Sequence, residues 1–179
     1  GADAARMPEP IRCAMLSCIL SDTLEFRSPT TTAHDREVAE TLARQLGISI
    51  PDYAAELFAA KSDVSAFSDA ELLRMDSKEY NVAGKDLRVS VLETTAPRMI
   101  LDRKASLMAS MDGVAKEDGA DQVLLFVVDI LKEEATLLVP NDLVKRIAEA
   151  SFGAKVTGDT VVLPGIMSRK KQIIPALKL

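Results

Sequence analysis

No apolar run in this chain approaches the roughly 20 residues that a membrane span requires. Excess positive charge is missing too: 22 Lys and Arg stand against 27 Asp and Glu, a formal net charge of -5. Nucleic-acid binding would need a broad basic face, so it is not expected. The start, "GADAARMPEP", lacks the basic-then-apolar pattern of a signal peptide, which predicts a cytoplasmic protein. Histidine occurs once, as His34, with no Cys or His partner at ligand spacing, and is read as structural or exposed. There are two cysteines, Cys13 and Cys18. On a helix their separation is about 500° of rotation, which turns them to different faces. Two buried thiols in a reducing compartment are expected rather than a disulfide. A Walker loop, a GxSxG elbow, a Cys/His nucleophile arrangement, internal repeats and low-complexity tracts are all absent.

What remains is an ordinary globular composition, 47% apolar and 27% charged over 179 residues, enough for one domain or two small ones. Residues 1–66 read as helices. "IRCAMLSCIL" is apolar on most sides and suits a buried helix that ends near "SDT". Pro29 and a run of threonines precede a second helix, with Asp35 and Glu37 in its first turn, Val38, Leu42 and Leu46 at helical spacing, and Gly47 as a stop. Pro51 opens a third. "SDVSAFS", residues 62 to 68, is the linker candidate, and Ser68 with Glu71 forms a capping-box start for "DAELLRM".

From residue 67 the texture is mixed. "KEYNVAGKDLRVSVLET" alternates on either side of Gly84 as a hairpin would. Pro97 begins one long amphipathic helix through "PRMILDRKASLMASMDGVAKEDG". "DQVLLFVVDIL" is a continuous apolar run, predicting a central strand buried on both faces. "EEATLLVP" reads as a strand, "NDLVKRIAEASFG" as a helix capped by Asn141, and "DTVVLPG" and "KKQIIPAL" as closing strands. The class is therefore α/β: a helical part over 1–66, then a mixed β-sheet domain with flanking helices over 67–179.

Two places can carry chemistry. Asp22 follows an apolar helix and precedes a Ser/Thr/Pro loop, so its carboxylate emerges at the end of a buried element. A helix-end cap and a hard-metal ligand both fit that position. "LPGIMSRKKQ" places Ser168 and the cations Arg169, Lys170 and Lys171 after a Gly165 turn. As a strand it would point Arg169 and Lys171 one way and Lys170 the other. Lysines guarding a sheet edge are one reading; an anion site completed by a cation from elsewhere, with Lys78 as candidate, is the other.

"ILSDTLEFRSPTTTAHD", "DSKEY", "LLFVVDIL" and "VVLPGIMSRKKQIIPAL" follow one another as they do in the family II inorganic pyrophosphatases, manganese-dependent phosphoesterases of the DHH superfamily. The chain resembles that family from about residue 9 onward. The resemblance implies that Asp22 ligates a metal centre of two or more manganese ions, with cobalt or magnesium as alternatives. It implies that Lys78, Ser168, Arg169 and Lys170 bind pyrophosphate, the three cations having a catalytic part. It also implies a homodimeric intact enzyme, with "SDVSAFS" as a hinge. Val91, Leu92 and Glu93 stand where the family usually writes Gln-Val-Glu. The His-x-x-x-Asp-x-Asp and Asp-His-His motifs of the family's N-terminal half do not occur in these residues. The expectation is a C-terminal part, the end of a DHH catalytic domain plus a DHH-associated domain, inactive without the half that holds the other metal ligands. A fragment of a DHH-type exopolyphosphatase or related phosphoesterase, and a non-catalytic anion-binding module, are the alternative readings.

Overall fold

The computed structural model describes residues 7–179; the first six, part of the stretch read for an export signal, lie outside the described residues. The chain divides between Ser62 and Asp63 into two compact units. The first holds three helices, α1 (Glu9–Asp22), α2 (Ala33–Leu46) and α3 (Ile50–Lys61). Thr32 and Asp35 close a capping box at the start of α2, and Gly47 ends it in left-handed geometry at φ 67°. The core of this unit is small: Leu16 and Leu20 of α1, Ala39, Leu42 and Ala43 of α2, Ala54 and Phe58 of α3. Ser17 Oγ and Tyr53 OH, 2.8 Å apart, join α1 to α3.

The expected burial of "IRCAMLSCIL" on most sides does not hold. Two neighbouring helices cover only the stripe that carries Leu16 and Leu20, spaced one turn apart. Ile11 stays 49% exposed and Met15 36%. The same geometry overturns the two buried thiols: Cys13 is half-buried, Cys18 is exposed, and both are free.

The second unit opens with α4 (Asp69–Met75), whose Ser68–Glu71 capping box is present on both sides. Next come β1 (Ser77–Val82) and β2 (Lys85–Thr94), joined by Ala83 and Gly84 at φ 48° and 81°. Two successive positive φ values suit the twist of a tight hairpin. The single helix expected from Pro97 is two pieces, α5 (Arg98–Leu101) and α6 (Lys104–Asp118). Arg103, at φ -95° and ψ 7°, leaves helical geometry between them. Its guanidinium donates to the carbonyls of Val64 and Phe67 and to Asp69 Oδ1, so the segment read as a linker is tied down from Val64 onward.

β3 (Gln122–Asp129), β4 (Glu134–Leu138), α7 (Asp142–Phe152) and β5 (Thr160–Pro164) follow. The sheet runs β1-β2-β3-β4-β5, with β2 and β3 parallel and every other pair antiparallel. β3 is central and buried at every residue, as its unbroken apolar run predicts. Val123, Leu125 and Val127 pack with Leu72, Leu73, Leu107 and Met111 of α4 and α6. Leu124, Phe126 and Val128 pack on the other face with Val144 and Ile147 of α7. There Phe126 meets Phe152 edge to face, centroids 6.0 Å apart.

"KKQIIPAL" is not a strand. Arg169–Ile173 form one π-helical turn, followed by α8 (Ile174–Ala176). Ile173 and Leu177, about one helical turn apart, both enter the α7-side core. Ser168 caps the turn by accepting from the Lys171 amide, and Pro175 sits in the first turn of α8, where its missing N–H costs nothing.

Candidate functional site

The cationic turn is rooted in the core and presents its charges outward. Ile173 is fully buried among the α7-side residues, whereas Lys170 and Lys171 are exposed. Arg169 is different, with its side chain only 17% accessible. Its Nη1 donates to the Asp76 carbonyl at 2.8 Å and lies 2.8 Å from Asp76 Oδ1, across 93 residues of sequence. The head group is therefore fixed at the start of β1, two residues from Lys78.

Lys78 reaches the same region by sheet alternation. Arg88 of β2 binds the residues on either side of it, donating from Nη1 to Ser77 Oγ at 2.7 Å and from Nη2 to Glu79 Oε1 at 2.5 Å. Ser77 and Glu79 thus share one face of β1, and Lys78 takes the other. Tyr80 and Val82, in step with Lys78, pack on the core that also holds Ile173 and Leu177. Lys78 and the 169–173 turn accordingly lie on the same side of the sheet. Lys78 is exposed and pairs across the strand with Val89. No acidic partner takes up the Lys78 or Lys170 ammonium among the described residues, so both can meet an anion from solution.

The strand reading set Arg169 with Lys171 and against Lys170. The helical turn removes that alternation. Sequence reasoning also missed Asp76, which orients Arg169, and Gln172, whose side chain holds the loop before the turn. Both lie inside motifs already singled out, "DSKEY" and "SRKKQ". Nothing in the sequence indicated that an acid would pair with a cation 93 positions away.

Asp22 belongs to the first unit. It is the last residue of α1, exposed, with no basic residue in the final helical turn. A carboxylate there meets the negative end of the helix dipole, an arrangement that a bound cation relieves. Lys61 Nζ stands near by, 2.5 Å from Ser21 Oγ. Just beyond, Leu24, Glu25 and Phe26 all adopt positive φ, at 49°, 52° and 66°. Side chains pay for that conformation at each residue, so the loop after Asp22 is strained. Thr23 steadies it, donating to the Ile19 carbonyl and accepting from the Phe26 amide. Among the described residues no group of three or more His, Cys, Asp or Glu is placed to hold a metal ion. One carboxylate offers two oxygens where manganese takes about six ligands, so these residues do not form a metal centre by themselves.

The DHHA2 domain family matches residues 55–179, from within α3 to the end of the chain. The chain belongs to the DHHA2 family. It is similar to the manganese-dependent inorganic pyrophosphatase of Methanocaldococcus jannaschii, 36% identical over 165 residues, covering 92% of this chain and 53% of that protein. It is 43% identical over 169 residues to a Deinococcus radiodurans relative named "Probable manganese-dependent inorganic pyrophosphatase", covering 92% of this chain and 54% of the relative. The crystal structure of a Methanococcus jannaschii protein named "putative family II inorganic pyrophosphatase" superposes with a TM-score of 0.58 at 36% identity, over 90% of this chain and 52% of that one. This DHHA2 chain spans about half the length of the curated relatives it matches. No helix among its described residues is long and apolar enough to cross a membrane.

Proposed function

We propose that these residues are the substrate-gripping, C-terminal part of a manganese-dependent inorganic pyrophosphatase that splits pyrophosphate into two phosphates. The observation that carries the reading is the fixed Arg169 guanidinium beside Lys78, in a chain whose relatives bear that enzyme's name. Pyrophosphate carries several negative charges that repel an incoming nucleophile, and convergent cations offset them. Arg169 holds a phosphate through the N–H groups that Asp76 leaves free, while Lys78 and Lys170 act as mobile point charges. Ser168 begins the turn and sets its direction. In this reading Asp22 is one metal donor, and the others come from the portion of the relatives' length that this chain does not span.

Phosphate release from pyrophosphate in the presence of manganese tests this. The 179-residue chain alone should release none, and a protein that adds the relatives' other half should release it readily. In that longer protein Arg169→Ala should lower turnover by roughly 100-fold, the usual cost of one electrostatic donor, and leave manganese affinity near normal. Asp22→Asn should weaken manganese binding. Robust manganese-dependent hydrolysis by the 179-residue chain, or an Asp22→Asn protein with unchanged metal affinity and rate, overturns the reading.

A further inference from the structure

The side chain of Gln172 lies back along the chain it follows. Its Oε1 accepts from the amides of Met167 and Ser168, each at 2.9 Å, and its Nε2 donates to the Gly165 carbonyl at 2.7 Å. This loop has left the sheet: β5 ends at Pro164, and Gly165 turns into left-handed geometry at φ 75°. The Gly165 amide still donates to the Glu133 carbonyl, and beyond it one amide side chain supplies partners for the Gly165 carbonyl and the Met167 and Ser168 amides. Only Gln has the length and the paired donor and acceptor for this. Glu lacks the donor, Lys lacks the acceptor, and Asn is a methylene short. Gln172 is itself held in place, since the next residue, Ile173, is fully buried and the Gln172 amide donates to the Ser168 carbonyl.

We propose that Gln172 is the positioning residue of the anion site. It fixes the backbone from which Ser168, Arg169 and Lys170 project, without touching the anion. Both lone pairs of its oxygen and one of its two N–H groups are already taken within the loop. The proposal rests on the reading that these cations hold a phosphate group. Gln172 determines where their Cα atoms stand, whereas Asp76 orients the Arg169 head group alone.

The test uses the 179-residue chain, with inorganic pyrophosphate as probe at low ionic strength, followed by backbone amide NMR. Gln172→Met keeps the length and removes all three bonds. Its Met167 and Ser168 amides should exchange about tenfold faster, and its pyrophosphate Kd should rise about tenfold, with the far-UV circular dichroism unchanged. Gln172→Glu keeps both acceptor contacts and should leave those two amides protected, which serves as the measurement if the Met variant fails to fold. Loss of protection in a folded Glu variant, or retained protection in the Met variant, overturns the proposal. So does a Met variant with undiminished affinity while Arg169→Ala binds weakly. If Arg169→Ala also binds as tightly as the unaltered chain, the anion site falls and this proposal falls with it.

Discussion

Asp118, at the end of α6, accepts two hydrogen bonds from Arg74 Nε and Nη2, and its Oδ2 lies 2.8 Å from Arg88 Nε. The same Arg88 grips Ser77 and Glu79, so one carboxylate ties α4, α6 and β2 to the strand that carries Lys78. The Arg74 hydrogen bonds, helped by the charge of Arg88, hold the Asp118 carboxyl below the usual carboxylate range against the opposing effect of burial. The folded chain thus gives up this proton at a lower pH than the unfolded chain. Its stabilisation is whole above the unfolded pKa of about 3.9 and is lost as pH falls through the lower folded value. Asp118→Asn should therefore reduce stability clearly at pH 7 and less near pH 3, measured by urea unfolding. An equal loss at both pH values would show that the charge contributes nothing.

At the scale of the element, one side chain serves α7 twice. Asn141 caps it by accepting from the Val144 amide at 3.0 Å, and its Nδ2 donates to Gln122 Oε1 at 2.9 Å. Gln122 is a buried polar residue on the central strand, so this bond answers a group that water cannot reach. Asn141→Ala removes both contacts and should cost about 2 kcal/mol in urea unfolding, against about 1 for a cap alone. Asn141→Ser should restore the cap and recover about half; full recovery would mean that the Gln122 bond is idle. The cap was legible in the sequence, as were the Ser68–Glu71 box, the hairpin at Gly84 and the burial of β3. Each is a local pattern with one dominant physical cause. Its partner Gln122 was not legible, because the contact joins residues whose meeting depends on the packed fold. The last segment failed for a related reason. "KKQIIPAL" has β-branched residues that favour a strand, but the Ser168 cap and Pro175 at the start of α8 outweigh them once Ile173 and Leu177 have a core to enter. The candidate site divides the same way: the cations stood out in the sequence, though as an edge guard or an anion site alike, while the Asp76 and Gln172 contacts needed the fold.

At the scale of the whole molecule, hydrophobic burial is unevenly shared. Both large apolar clusters, one on each face of the sheet, draw all their residues from the unit that starts at Asp63. Among the described residues, the unit that ends at Ser62 has seven buried apolar side chains, of which Leu16, Leu20, Leu42 and Phe58 are large and Ala39, Ala43 and Ala54 are small. A chain of about 60 residues buries only about 60% of its unfolded surface, which leaves little margin over conformational entropy. Ile11 and Met15, 49% and 36% exposed, offset it only in part. Residues 63–179 expressed alone should therefore fold cooperatively, with one urea transition and dispersed amide resonances, and should keep the Arg169–Asp76 bond and the loop held by Gln172. Residues 1–62 alone should show partial helicity and a broad, shallow melt. A collapsed, poorly dispersed 63–179 would mean that its two-faced sheet needs support from outside the unit, and a sharp transition for 1–62 would mean that so small an apolar core is enough for stability.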